Sequence, residues 1–215
     1  MQVQDNLNQI YTEIDSVTHD RPTIIAVTKY VTIDRAQEAF DAGLTHFGEN
    51  RIEGFLEKKA ALSQAVFHFI GSLQTRKVKE VINEIDYLHS LDRQSLADEI
   101  QKRAEQPVKC FVQVNIAAEE SKHGLAKEEV IDFVQGLASY DKIEIVGLMT
   151  MAPHIDDQQQ LRGYFSELRM LQQQIAGLQQ HNAPCTELSM GMSNDYLSAI
   201  QEGSTFIRIG TKLVG

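Results

Sequence analysis

One pattern restricts the fold more than any other. Eight short apolar runs, rich in β-branched or aromatic residues, recur along the chain: TIIAVT (23–28), THFGE (45–49), FHFIG (67–71), YLHSL (87–91), VKCFVQVN (108–115), IEIVGLM (143–149), TELSM (186–190) and TFIRIG (205–210). Each reads as a strand buried on both faces. Helical patterns follow nearly all of them. TIDRAQEAFDAG offers a cap at Thr32 and a stop at Gly43. DRQSLADEIQKRAEQ and KEEVIDFVQGLASY place apolar residues three and four apart, and DDQQQLRGYFSELRMLQQQIAGL is the longest helix candidate. Parallel strands need crossover helices, so the alternation predicts an α/β protein, a (β/α)8 TIM barrel, with a doubly wound open sheet as the competing topology. The sequence reaches Gly215 almost directly after the eighth run, leaving no room for a full final helix. An extra N-terminal helix, about Gln4 to Val17, is expected to cover that gap. With no linker, low-complexity segment or repeat in view, residues 1–215 read as a single domain.

Charge narrows the partners. Thirty acidic against twenty basic residues give a net charge of -10. Such a chain repels phosphate backbones and anionic lipid, so neither nucleic acid nor membrane is expected as a partner. No apolar run is long enough to span a bilayer, and MQVQDNLNQIYTEIDSV does not resemble a signal peptide. Cys110 and Cys185 are expected to be reduced thiols in a cytoplasmic protein, and no His/Cys cluster has metal-ligand spacing.

In a barrel, chemistry gathers at the C-terminal ends of the strands. Lys29 falls there after the first run, Glu49 and Asn50 after the second, SMGMSND after the seventh and RIGT at the end of the eighth. Gly191 suits a tight turn. Ser193 and the helix start DYLSAIQEG suit an anion, as do Gly210 and the Thr211 hydroxyl. The loops after strands seven and eight are where barrels often hold phosphate. The bland alternatives are that Ser193 is a helix cap, Gly210 a turn glycine and Lys29 a solvated strand end. A lysine partly desolvated at a barrel mouth has a lowered pKa and attacks aldehydes. A ligand with both an aldehyde and a phosphate is pyridoxal 5′-phosphate (PLP). Arg208, beside the phosphate loop, cannot accept a proton from the ring nitrogen and so favours an unprotonated pyridine.

These pieces carry a family resemblance. AVTK (26–29), AGLTHFGEN (42–50), FHFIGSLQTRK (67–77), HSLDR (89–93), VQVNIAAEESKHG (112–124), VGLMTM (146–151), LSMGMSND (188–195) and RIGT (208–211) appear in the order seen in the YggS/PROSC PLP-binding proteins. The resemblance covers essentially the whole chain. It implies a fold-type III barrel like the N-terminal domain of alanine racemase, with PLP held by Lys29 as an internal aldimine. It also implies a phosphate site from Ser193, Gly210, Thr211 and the backbone around Met192. Arg208 is expected near the ring nitrogen or the phosphate, and Asn50 near the ring. Members are described as carriers or regulators of PLP supply, so the expected function is PLP homeostasis without robust catalysis, by a monomer, with apo PLP enzymes as candidate recipients. The alternative is a PLP-dependent racemase or decarboxylase. In alanine-racemase-like enzymes, however, the second base comes from an added domain of the partner subunit. A PLP-free aldolase using Lys29 is a third reading. Arg51 and Arg76 depart from the common family pattern, which has Tyr and Asn there, and the TKLVG ending suggests a short family tail is missing.

Other candidates look less informative. His68 alternates with Phe67 and Phe69 and reads equally as a core histidine or a ligand contact. His46, His89 and His154 have no evident partner. Met149, Met151, Met190 and Met192 are expected to pack near the mouth, and Lys122 and His123 sit in the loop after strand five with no mechanism attached.

Overall fold

The structure, a computed structural model, describes residues 2–120 and 123–215. Eight parallel strands close on themselves: β1 (Thr23–Val27), β2 (His46–Glu49), β3 (Val66–Phe69), β4 (Tyr87–Leu91), β5 (Val108–Asn115), β7 (Ile143–Met149), β8 (Glu187–Met192) and β9 (Phe206–Ile209). Neighbours follow chain order, and the β9–β1 and β4–β5 pairings complete the ring. This is the (β/α)8 barrel; the open sheet is excluded because no edge is left unpaired. A two-residue strand, β6 (Leu125–Ala126), pairs with the end of β5 outside the ring and was not foreseen.

Local chemistry explains the helices. In α2 (Ile33–Asp41) the Thr32 hydroxyl accepts the Arg35 N–H, as a cap should. In α7 (Gln158–Gly177) the Asp157 carboxylate caps two N–H groups, and Leu161, Phe165, Leu168, Leu171 and Ile175 form one buried stripe. The other helices between the strands are α3 (Ile52–Ala61), α4 (Val78–Val81), α5 (Gln94–Arg103), α6 (Val130–Gly136) and α8 (Tyr196–Gln201). Their apolar faces and the outward strand residues form one large buried cluster. A smaller cluster inside the ring contains Ile25, Phe111, Val146, Met149 and Phe206.

Beyond β9 there is a single helical turn, α9 (Thr211–Val214). The N-terminal helix α1 (Val3–Asp15) packs beside it through Val3, Leu7, Ile10 and Ile14. Asn6 donates to the Leu213 carbonyl at 2.9 Å, and the Val3 N–H donates to Glu38 of α2 at 2.8 Å. Glu13 accepts from Lys212 at 2.5 Å and from the Tyr196 hydroxyl. The extra helix therefore occupies the place expected of it. Among the described residues no helix is long and apolar enough to cross a membrane.

The Lys212 hydrogen bond, and then that of Tyr196, hold the Glu13 carboxyl below its ordinary pKa. A depressed folded pKa stabilises the fold above the unfolded carboxylate pKa, and that contribution disappears as pH falls through the folded value. Glu13→Gln is expected to lower the urea midpoint at about pH 7 and to lower it by less at about pH 3. An equal deficit at both pH values would contradict this role.

Candidate functional site

All seven residues singled out from the sequence line one cavity of about 420 Å³ at the C-terminal mouth: Lys29, Asn50, Met192, Ser193, Arg208, Gly210 and Thr211. No carboxylate is among its lining residues, although the chain carries a net charge of -10. Two cations, Lys29 and Arg208, therefore face a cavity that attracts anions. A larger groove of about 510 Å³ lies beside the loop after β5. It is lined by Glu119, Glu120, Glu128 and Glu167, and its lysine, Lys127, is paired with Glu167, so it repels anions.

Lys29 stands in the turn after β1, half-buried, with its ammonium 4.9 Å from the Tyr30 ring centroid. Its backbone neighbour is fixed from behind. The Thr28 hydroxyl donates to Glu49 at 2.6 Å, and Lys58 of α3 donates to the same carboxylate oxygen at 2.7 Å and to the Thr28 carbonyl at 2.5 Å. Lys58 and Glu49 are both buried. This ion pair ties the end of β1 to the end of β2 and so sets Lys29 against Asn50. The sequence reading missed Lys58 because an α3 lysine looks like solvated surface.

Asn50 Oδ1 is buried without a hydrogen-bond partner among the described residues. An orphan acceptor at a cavity wall suits a site completed by a ligand donor. Gly71 packs against it so closely that an added Cβ would lie 2.6 Å from the Asn50 carbonyl oxygen.

The loops after β8 and β9 converge. The Gly210 N–H donates to Ser193 Oγ at 3.3 Å, so the two expected phosphate ligands touch. Ser193 is not a helix cap: α8 begins later, with Asp195 at its cap position. Asp195 accepts the Met192 N–H at 2.6 Å, which folds the loop back. Backbone help at Met192 therefore does not come from that N–H. Burial pushes the Asp195 carboxyl up from its ordinary pKa. Gly191 has φ of +99°, the left-handed region that favours glycine, at a register shift in β8.

Arg208 is 4% exposed and lies inside the ring rather than in the phosphate loop. It donates to Ser189 Oγ at 2.5 Å and to the Thr150 carbonyl at 2.9 Å. Burial lowers its pKa to about 10, still a full charge at neutral pH.

Other expectations sort as follows. His123, His154 and Met151 line the cavity, whereas Met149 and Met190 are buried in the packing. Lys122 lies outside the described residues. His68 is a core histidine bonded on both ring nitrogens, to His46 and to His89, so the latter two have partners after all. Arg51 and Arg76 are exposed and do not line the cavity. Both cysteines are buried, and burial raises the Cys185 pKa to about 12, which leaves that thiol inert.

Fold and site together define a closed (β/α)8 barrel presenting an amine, a hydroxyl-bearing pair of loops and a buried guanidinium at one mouth. The sequence model of the family described as "Alanine racemase, N-terminal domain" matches residues 2–215. The chain belongs to that family, in its YggS/PROSC pyridoxal phosphate homeostasis branch. It is 39% identical over 199 residues to the pyridoxal phosphate homeostasis protein of Aquifex aeolicus, covering 89% of this chain and 86% of that one. It is similar to PipY of Synechococcus elongatus, whose structure has PLP bound, with a TM-score of 0.87, 29% identity and full coverage of both chains. Alanine racemase of Corynebacterium glutamicum, at 11% identity and a TM-score of 0.81 over 99% of this chain and 60% of that one, shares the fold.

Removing one partner of the Lys58–Glu49 pair leaves a buried charge unpaired, which costs about 3–5 kcal/mol. Lys58→Met is expected to lose that much in urea unfolding, and Lys58→Met with Glu49→Gln to recover a good part of it. A loss below about 1 kcal/mol would mean the pair is solvated like a surface bridge.

Proposed function

We propose that this protein binds PLP at the mouth cavity and serves its supply in the cytoplasm as a monomeric, non-catalytic carrier. One observation carries the reading: an amine, a hydroxyl and backbone loop, and a buried guanidinium line a single carboxylate-free cavity in an acidic protein. The spacing of function matches one ligand. Lys29 would supply the amine that engages the aldehyde group of the bound cofactor. Ser193, Gly210 and Thr211 hold the phosphate. Arg208 donates toward the pyridine nitrogen, and Asn50 flanks the ring. The names of its relatives, homeostasis proteins rather than enzymes, support the carrier reading. When bound, the cofactor supplies an electron sink, which Arg208 weakens because a donor-only group leaves the ring nitrogen unprotonated. Apo PLP enzymes are the proposed recipients.

The racemase or decarboxylase alternative is tested by incubating the loaded protein with amino acids. Turnover to a D-amino acid or an amine would overturn the carrier reading.

Two measurements test the site. Borohydride reduction of the PLP-loaded protein is expected to mark the Lys29 peptide, and Lys29→Ala to abolish the mark while keeping the circular dichroism of the fold. A full mark elsewhere in the variant would move the site. Ser193→Ala removes a hydrogen bond to a charged group, worth about 1.5–3 kcal/mol. PLP dissociation measured by equilibrium dialysis is therefore expected to weaken roughly 10- to 150-fold. Unchanged affinity would assign the phosphate to other groups.

A further inference from the structure

Three histidines inside the barrel form a continuous file that ends on Arg208. His46 Nδ1 lies 2.9 Å from His68 Nε2, His68 Nδ1 lies 2.7 Å from His89 Nε2, and His89 Nδ1 lies 2.9 Å from Ser189 Oγ. Ser189 Oγ in turn accepts from Arg208 at 2.5 Å. The file runs from the half-buried His46, in a pocket at the N-terminal floor, to the guanidinium at the cofactor cavity. His68, His89 and Ser189 are fully buried. Aromatic faces clamp the rings edge-on to the file: His68 stacks on Tyr87 with centroids 4.4 Å apart, and His89 on Phe111 at 4.3 Å. The ring nitrogens of the three histidines point at one another rather than at a common centre, and among the described residues no group of three or more His, Cys, Asp or Glu is arranged to hold a metal ion.

The chemistry of one end dictates the whole. Arginine has only donors, so Ser189 Oγ must accept from it. Among the described residues the Ser189 hydroxyl has one further partner, His89, and its single proton goes to His89 Nδ1. His89 then carries its proton on Nε2 and donates to His68 Nδ1. His68 likewise donates from Nε2 to His46 Nδ1. A neutral imidazole has one donor and one acceptor, which this arrangement uses at every link. Burial holds His68 and His89 well below the ordinary histidine pKa, in keeping with neutral rings. The charged groups facing the floor end are Asp86, from the loop before β4, and Lys109 of β5, with the Tyr87 phenol; His68 faces it from β3, and β1 and β9 present apolar side chains.

We propose that Ser189, His89, His68 and His46 form a one-way hydrogen-bond file, polarised by Arg208, that holds the guanidinium facing the cofactor cavity. Ser189 and His89 are thus positioning residues for cofactor binding, a consequence that rests on the PLP reading, whereas the polarity of the file does not.

The test is nitrogen-15 NMR of the histidine-labelled full chain without added PLP, at about pH 7.5, where the tautomers are read from the two ring-nitrogen shifts of each histidine. All three rings are expected as single Nε2–H tautomers. Ser189→Ala should release the polarity, collapsing the shift difference at His89 and His68, whereas His46→Ala, at the far end, should leave His89 fixed. An Nδ1–H tautomer at His68 or His89 in the parent protein would overturn the proposal, as would loss of the His89 tautomer in His46→Ala with retention in Ser189→Ala. If Ser189→Ala fails to fold, the parent spectrum and the His46→Ala arm still decide. With PLP added, Ser189→Ala should weaken binding several-fold while borohydride still marks Lys29, and unchanged affinity would remove the positioning role. Absence of PLP binding by the parent protein would sink the functional reading and leave the tautomer result standing.

Discussion

A permanent charge buried in the centre of a barrel is the constraint around which this structure is arranged. Arg208 is held away from water, and among the described residues no carboxylate is bonded to it, so its donors are met by neutral acceptors. The Thr150 carbonyl and Ser189 hydroxyl meet two of them, and the cofactor cavity lies open to the guanidinium. Under the proposed function, part of the cost of burying the charge would be offset when a ligand acceptor enters the cavity, and a donor-only guanidinium favours an acceptor that is unprotonated.

The rest of the mouth divides the work between rigid strand ends and loops. Behind Lys29, a buried lysine–glutamate pair fixes the first two strand ends relative to each other. Across the mouth, two loops meet at the Ser193–Gly210 hydrogen bond, with Asp195 folding one of them back. A ligand gripped at both ends of this cavity, as proposed, would be oriented by the frame of the barrel itself. The N-terminal helix contributes by packing against α9, the single helical turn that follows β9.

Much of this was legible in the sequence. Strand runs such as IEIVGLM and VKCFVQVN have the length of the strands they form, and the strand-end rule alone places Lys29, Asn50, Ser193 and Arg208 at one mouth. What escaped were contacts between residues that share a face only after the ring closes. His46, His68 and His89 are about twenty residues apart in sequence, each one strand further on, so a single-sequence reading sees three unrelated histidines. The even spacing was the available signal, since neighbouring parallel strands place such residues side by side. Lys58 escaped because amphipathic periodicity marks a lysine as surface, and the loop after β8 runs on past Ser193 before α8 begins at Tyr196, with the Asp195 carboxylate reaching back to the Met192 N–H.

The most direct test of the central claim is the protonation state of the ring nitrogen in bound PLP, read by nitrogen-15 NMR of cofactor labelled at that atom. With Arg208 donating to it, the nitrogen is expected to show the shift of an unprotonated pyridine at neutral pH. The shift of a protonated pyridinium would contradict the account, because a donor-only guanidinium cannot accept that proton, and the ring would have to face a different group.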